Sequence, residues 1–224
     1  MEIIIAEKIE KIYQDNGVPV TALKDVDIIV NKGEFLVLAG RSGSGKTTLL
    51  NLFGALDNPT KGEIKFEKYH LAKMNKKELS ELRLNKMGFI FQAYNLIPVL
   101  TAIENIEFSM MLLGIPEKTR RERALSLMKE LEIDQLADKR PGEMSGGQQQ
   151  RVSVARAIVN NPTVVLADEP TANLDSKTAS NLLDLMQKMN EEKKITFIFA
   201  THDKQIMERA KRLVYLEDGR IKQD

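Results

Sequence analysis

Cysteine is absent from all 224 residues, which excludes disulfides and cysteine-ligated zinc or iron–sulfur sites. A net charge of +1 supplies no overall field for nucleic acid and leaves only a local basic stripe open. No apolar run approaches the ~20 residues that a bilayer-crossing helix needs. The opening MEIIIAEKIEKIY carries an acid at position 2 and too short an apolar core for a signal peptide. If the protein acts at a membrane, another component must hold it there. Internal repeats and low-complexity tracts are also missing. The 42% apolar and 29% charged residues that are present suit a soluble globular protein, and the length suits one large domain.

Residues 2–13 and 20–30 mix alternation with β-branched side chains across a turn-rich link at 14–19 (QDNGVP), predicting an antiparallel strand pair. Residues 34–39 (EFLVLA) read as a strand buried on both faces, followed by a glycine loop and an amphipathic helix from Thr47. Strands are expected at 63–67 and 87–91, with a charged helix at 76–84 between them. Residues 101–138 change character. Ala124, Leu127, Met128 and Leu131 fall at helical spacing beyond a Gly-Ile-Pro break at 114–116, so a mostly helical lobe is expected, inserted into the sheet domain. From Gly146 the pattern alternates: helix to 160, strand 163–168, helix 176–190, strand 195–200, helix 203–209. Such units imply a parallel sheet with helices on both faces. Asp218-Gly219 sits inside a terminal hairpin. The expected fold class is α/β: a parallel-sheet core with an N-terminal antiparallel β subdomain and an inserted helical subdomain. The whole chain, 1–224, forms one domain on this reading, with 1–92 and 143–224 as core and 93–142 as the helical part.

The chemistry concentrates in three places. Residues 40–47 (GRSGSGKT) fit G-x-x-x-x-G-K-[ST] after a strand and before a helix, the context that motif requires. Glycines let backbone N–H groups turn inward on phosphate oxygens, and the helix N-terminus adds partial positive charge. Lys46 then reaches the β- and γ-phosphates, and the Thr47 hydroxyl ligates Mg²⁺. The strand VVLA ends in Asp168, an acid placed to hold Mg²⁺, and Glu169, placed to act as general base or to position water. Gln92 and His202 each follow an apolar strand, so four strand ends bring polar groups to one sheet edge, where parallel sheets bind ligands. Gln92 is a candidate to ligate Mg²⁺ or orient water.

Residues 40–47, Gln92, Ser145-Gly146-Gly147-Gln148, 164–169, Asn173-Leu174-Asp175 and His202 appear in the order and spacing of an ABC-type ATPase. The chain resembles the nucleotide-binding subunit of an ABC transporter over essentially its whole length. The resemblance implies ATP and Mg²⁺ as cofactors, and a phosphate-binding set of Gly40, Arg41, Ser42, Gly43, Ser44, Gly45, Lys46, Thr47 and Thr48. It implies that Tyr13 stacks on adenine, that Gln92 couples nucleotide to the membrane partner, and that His202 contacts the γ-phosphate. It further implies that Ser145, Gly146, Gly147, Gln148 and Asp175 close on the nucleotide of a second subunit in a head-to-tail homodimer, while Asp168 and Glu169 serve the chain's own. The partner implied is a separate polytopic membrane permease that holds the subunit peripherally at the cytoplasmic face of the membrane. Arg41 stands where the family usually has Pro, and Met144 where it usually has Leu; neither supplies a catalytic side chain.

Residues 92–105 (QAYNLIPVLTAIEN), the spacer between Tyr13 and Ala22-Leu23-Lys24-Asp25, and residues 145–151 (SGGQQQR) are similar to the lipoprotein-releasing and macrolide-exporter group. Cell-division and peptide-resistance cassettes share much of this. A soluble ABC ATPase acting on nucleic acid is a competing reading, but such relatives carry long coiled coils, cysteine-based zinc modules or a second cassette. A module that holds ATP without hydrolysing it sits poorly with Glu169 and His202 both present. Leu96 to Leu100 is apolar for a loop, open to either partner contact or packing under the lobe.

Overall fold

The computed structural model describes residues 1–15 and 18–224; Asn16 and Gly17, in the expected turn at 14–19, lie outside the described residues. The chain begins with β1 (Glu2–Asp15) and β2 (Val18–Asn31), paired antiparallel with Ile4 opposite Val30 and Ile9 opposite Val26. β3 (Phe35–Ala39) leads to α1 (Lys46–Phe53). β4 (Lys61–Phe66) returns to pair with β1, and the two-residue β5 (Tyr69–His70) pairs with β4. α2 (Lys76–Lys86) and β6 (Met87–Ile90) follow. Helices α3 (Ala102–Leu112), α4 (Glu117–Glu130) and α5 (Gly146–Ile158) precede β7 (Val164–Asp168). The chain closes with α6 (Ser176–Lys193), β8 (Thr196–Thr201), α7 (Lys204–Glu208), β9 (Arg212–Glu217) and β10 (Arg220–Gln223).

Two sheets result: a four-stranded antiparallel one, β2-β1-β4-β5, and a six-stranded one, β10-β9-β3-β8-β7-β6. Within the larger sheet β6, β7, β8, β3 and β9 run parallel, and β10 is antiparallel to β9. Strand alternation divides the buried residues into two cores, because successive side chains point to opposite faces. Phe35, Val37, Val165, Ala167, Phe197 and Phe199 face one core; Leu36, Leu38, Val164, Leu166, Ile198 and Ala200 face the other. Phe35 and Phe199 meet at 4.6 Å between ring centroids, and burying a side chain of this size contributes roughly 1.5–3 kcal/mol.

The apolar residues of α3, α4 and α5 join the first of these cores, so the helical segment is anchored to the sheet instead of packing around a centre of its own. The second core lies under α1 and the antiparallel sheet. Several helix starts use the polar residue the sequence provides: Asn75 with Glu78 caps α2, Thr101 with Glu104 caps α3, Ser145 with Gln148 caps α5, and Asp175 caps α6. These bonds, reciprocal in the first three, satisfy N–H groups that a helix cannot pair internally.

Two arrangements go beyond the sequence expectations. β9, expected only as half of a terminal hairpin, also pairs in parallel with β3. β8 sits between β3 and β7, so the strand ending in Asp168 is one place removed from the strand that opens the glycine loop.

Candidate active site

The carboxyl ends of β3, β6, β7 and β8 reach one edge of the sheet, since the four strands are parallel. After β3 the chain turns at Gly40, at φ 153°, where an added Cβ would lie 2.3 Å from the Leu216 carbonyl oxygen. Gly45 has φ 102°, and a Cβ there would lie 2.6 Å from the Ala22 carbonyl oxygen. Both positions therefore demand glycine. Gly45 also occupies the N-cap of α1, where no side chain caps the first N–H groups. An anion fits there, because those donors and the helix dipole both point at it.

Lys46, the first residue of α1, is buried, and its ammonium donates to the carbonyl oxygens of Gly40 at 2.8 Å and Arg41 at 2.9 Å. Burial pushes its pKa down, against the attraction of Glu169 and Asp168. The loop and its lysine thus form a cradle in which the positive charge is held facing the carboxylates of β7. The Thr47 hydroxyl donates to Asp168 Oδ1 at 3.0 Å. Burial raises the Asp168 pKa; the Thr47 hydrogen bond and Lys46 oppose that rise, and Glu169 adds to it.

Glu169 follows the strand in a left-handed conformation, φ 44°, which turns its side chain toward β8 and away from the run of the strand. Its Oε2 accepts from the Thr201 hydroxyl at 2.7 Å, and its Oε1 lies 2.6 Å from His202 Nδ1. A carboxylate only accepts, so Nδ1 carries the proton and Nε2 is the free ring nitrogen. The His202 side chain is 72% exposed, against 17% for Glu169. The acid is therefore fixed from the protein side while the imidazole faces the open cleft. Beyond it, the Thr171 hydroxyl donates to Asp203 Oδ2 at 2.7 Å, Asn173 Nδ2 donates to the Gln92 carbonyl at 2.9 Å, and the buried Gln150 amide donates to the Pro170 carbonyl at 2.6 Å.

These groups wall a cleft of about 390 Å³ formed by Ala22, Ser42, Gly43, Gly45, Lys46, Thr47, Thr48, Gln92, Asp168, Glu169, Ala172 and His202. Gly40, Arg41 and Ser44 line a second cavity of about 750 Å³ that shares Ser42, Gly43 and His202 with the first. Tyr13 is not itself part of the cleft wall but neighbours Thr48, which is. Its hydroxyl donates to Asp57 Oδ2 at 2.9 Å, and Lys11 Nζ lies 4.7 Å from its ring centroid. Ser145 to Gln148 and Asp175 also stand apart, at the starts of α5 and α6. Among the described residues no cluster of three or more His, Asp or Glu is arranged to hold a metal ion. The Thr47 hydroxyl and Asp168 carboxylate are hard oxygen donors in mutual contact. Such a sparse oxygen pair fits Mg²⁺, which keeps waters and substrate phosphates as its other ligands.

Sequence reasoning missed three residues that set this geometry. Thr201 lies just past the strand expected at 195–200 and drew no role beside His202, yet it ends β8 and holds Glu169. Arg156 sits in α5 among buried Val154, Ala155 and Ala157, and its guanidinium holds the chain after Gln92 through the carbonyls of Tyr94 and Asn95. Asn105 is fully buried on α3; it accepts from the Ile97 N–H and donates to the carbonyls of Ile97, Leu100 and Thr101. The signal available for the last two was a strongly polar residue on an apolar helix face.

A glycine loop running from a buried strand into a helix, facing a hydroxyl–carboxylate pair, is the architecture of a P-loop nucleoside triphosphatase. The profile of the ABC transporter family matches residues 23–172. The chain is 44% identical to an uncharacterized ABC transporter ATP-binding protein of Thermotoga maritima, covering 94% of this chain and 90% of that protein. It is 40% identical to the lipoprotein-releasing system ATP-binding protein LolD of Legionella pneumophila, covering 98% and 96%. Its fold superposes with a TM-score of 0.92 on the dimeric post-hydrolysis ATP-binding cassette MJ0796 bound to ADP and Pi, at 40% identity and 99% and 97% coverage; that cassette comes from Methanocaldococcus jannaschii. The chain belongs to the ABC transporter family, as an ATP-binding subunit with ATPase activity.

Proposed function

We propose that this subunit hydrolyses ATP in the cleft at Lys46 and Glu169 and so drives a separate polytopic permease of the lipoprotein-releasing and macrolide-exporter kind. The observation that carries the reading is Glu169, fixed by Thr201 and His202 one residue beyond the carboxylate that meets Thr47. Backbone N–H groups of residues 42–48 and the Lys46 ammonium hold the phosphates, and Tyr13 serves the adenine side. Thr47, Asp168 and Gln92 would hold Mg²⁺, which when bound supplies charge neutralisation for the phosphates. Glu169 takes a proton from water as the water oxygen bonds to the γ-phosphorus. The bond from that phosphorus to the bridging oxygen breaks, and ADP leaves with the electron pair. His202, with Nδ1 committed to Glu169, has Nε2 for the γ-phosphate. Lys46 offsets charge that grows on the transferring oxygens in a partly dehydrated site.

In this reading residues 1–92 and 143–224 form the catalytic core, and 93–142 form the part that meets the permease. Val99, Phe108, Met111 and Leu112 are exposed apolar side chains on that part. Phe108 and Met111 line a groove together with Leu100, Glu104, Glu107, Arg120 and Arg121. Among the described residues no helix is long and apolar enough to cross a membrane, so a peripheral place at the inner membrane face rests on this docking. Ser145, Gly146, Gly147, Gln148 and Asp175 close on the nucleotide of a second copy in a head-to-tail dimer, and nucleic acid has no part in the mechanism. The dimeric state of the similar cassette supports that arrangement.

The test is Glu169→Gln. The amide keeps the size of the acid and can still accept from Thr201, but it takes up no proton. Turnover is expected to fall on the order of 10²–10⁴-fold, with ATP still bound and dimer accumulating by light scattering. Near-normal turnover would remove Glu169 from its role.

A further inference from the structure

We propose that Arg156 is a positioning residue for Gln92, an inference that rests on the reading that Gln92 serves the nucleotide. Arg156 Nη1 donates to the Asn95 carbonyl at 2.5 Å and Nη2 to the Tyr94 carbonyl at 2.9 Å. Among the described residues no charged partner acts on it, and burial lowers its pKa. A cation partly removed from water and satisfied only by two carbonyls is costly to keep. An uncharged side chain would serve the helix better if helix packing were its only role.

The acceptors are unusual as well. Tyr94 and Asn95 are both left-handed, at φ 61° and 49°, a conformation L-residues adopt at a cost and seldom consecutively. The paired left-handed turn brings two successive carbonyls onto one guanidinium fork, a planar donor suited to two acceptors at once.

Gln92 lies two residues before this clamp, and its own carbonyl is held by Asn173 from the loop after β7. The segment is thus pinned on one side by that loop and on the other by α5. The two anchors are themselves tied, because Gln150 of α5 donates to the Pro170 carbonyl in the same loop. Gly146, at the start of α5, closes the circuit: a Cβ there would lie 2.7 Å from the Tyr94 hydroxyl oxygen. α5 therefore carries Ser145 and Gly147 at one end and the clamp on the Gln92 segment near the other. A displacement of the Arg156 end of α5 would therefore be carried to the Gln92 segment. Arg156 is the contact through which that displacement is passed on.

The experiment is a double-mutant cycle on the full chain, with ATP turnover and thermal midpoint as readouts. Arg156→Met is expected to lower kcat about 10-fold while KM for ATP stays within about 2-fold, and Arg156→Lys to recover part of the loss. In a Gln92→Ala background, Arg156→Met is expected to change kcat less than about 2-fold further, because its target is already gone. Losses that multiply in the double variant would overturn the proposal and leave Arg156 a stabiliser of the fold. Gln92→Ala with full turnover would fail the underlying reading of Gln92, and is distinguishable because it appears without any change at Arg156. If Arg156→Met does not fold, Arg156→Gln, which can still reach one carbonyl, carries the same cycle.

Discussion

Thr201→Val is the sharpest probe of how Glu169 is held. Thr201 is completely buried at the end of β8. Its hydroxyl donates to Glu169 Oε2 at 2.7 Å and accepts from the Asp203 N–H at 3.0 Å. Valine has nearly the same shape, so the substitution opens no cavity and removes only the hydroxyl. A hydrogen bond to a charged group contributes about 1.5–3 kcal/mol, and an orphaned buried N–H costs about 1–3 kcal/mol. Both partners are partly open, which lets water replace some of the loss, and the extra methyl recovers some apolar burial. A value just below the low end of the sum is therefore expected, about 2 kcal/mol. For a chain of this size each kcal/mol lowers Tm by about 2–4 °C, which gives a fall of about 4–8 °C.

The same change frees one oxygen of Glu169 while His202 still holds the other. In the proposed mechanism the acid is aimed at water and loses effectiveness with that freedom, and a loss near 1.4 kcal/mol of transition-state stabilisation is about 10-fold in kcat. Calorimetry and steady-state ATPase assays read the two effects separately, and Thr201→Ser, which keeps the hydroxyl, should retain most of both. In a Glu169→Gln background the kinetic effect of Thr201→Val should vanish. A midpoint within about 1 °C of wild type together with unchanged kcat would refute the argument that this hydroxyl orients the acid.

Asp168→Asn should show a pH-dependent gain in stability. Burial holds the folded pKa of Asp168 above its ordinary value of about 3.9, so the folded state binds the proton more tightly and the residue's contribution falls as pH rises through the folded pKa. The variant should thus melt above wild type at neutral pH and lose that advantage below about pH 4; a pH-independent difference would contradict the assignment. Phe108→Glu with Met111→Glu should leave basal ATPase intact while abolishing co-purification with a polytopic membrane protein, and retained co-purification would move the docking surface elsewhere. Gly88→Ala should cost about 1–3 kcal/mol by denaturant midpoint, because its Cβ would lie 2.3 Å from the Ala157 carbonyl oxygen and α5 would have to shift; an unchanged midpoint would refute that close approach.

The candidate edge, with its glycine loop and paired acids, was legible as an arrangement because each of its parts is local. A glycine loop between strand and helix, and an apolar strand ending in two acids, announce themselves within a few residues. Their union was legible too, since parallel strands bring their ends together, and the Thr47–Asp168 contact at 3.0 Å is the physical form of that inference. The order of strands was not legible. Nothing in the composition of residues 195–200 says that this strand lies between the other two, because every central strand of a covered parallel sheet is equally apolar. The pairing of β9 with β3 was hidden for the same reason.

The residues that position others were the least legible, and the reason is chemical. Arg156, Asn105 and Thr201 bond to backbone carbonyls, to backbone N–H groups or to one distant acid, and such partners leave no trace at a fixed spacing. Residues 144–175 illustrate the opposite difficulty, in which a legible motif conceals an ordinary structural duty. Ser145 accepts from the Gln148 N–H to start α5, and Asp175 accepts from the N–H groups of Lys177 and Thr178 to start α6. Their side chains are thus engaged within their own chain. In the proposed dimer, what α5 retains for a second copy's nucleotide are the N–H groups near its start and the positive end of its dipole. Gly147 keeps Thr178 in close contact, since a Cβ there would lie 2.5 Å from Thr178 Cγ2. In the proposed head-to-tail dimer the stretch would work across the interface by holding the start of one helix bare of side-chain bulk, while its serine and aspartate set where that helix and the next begin.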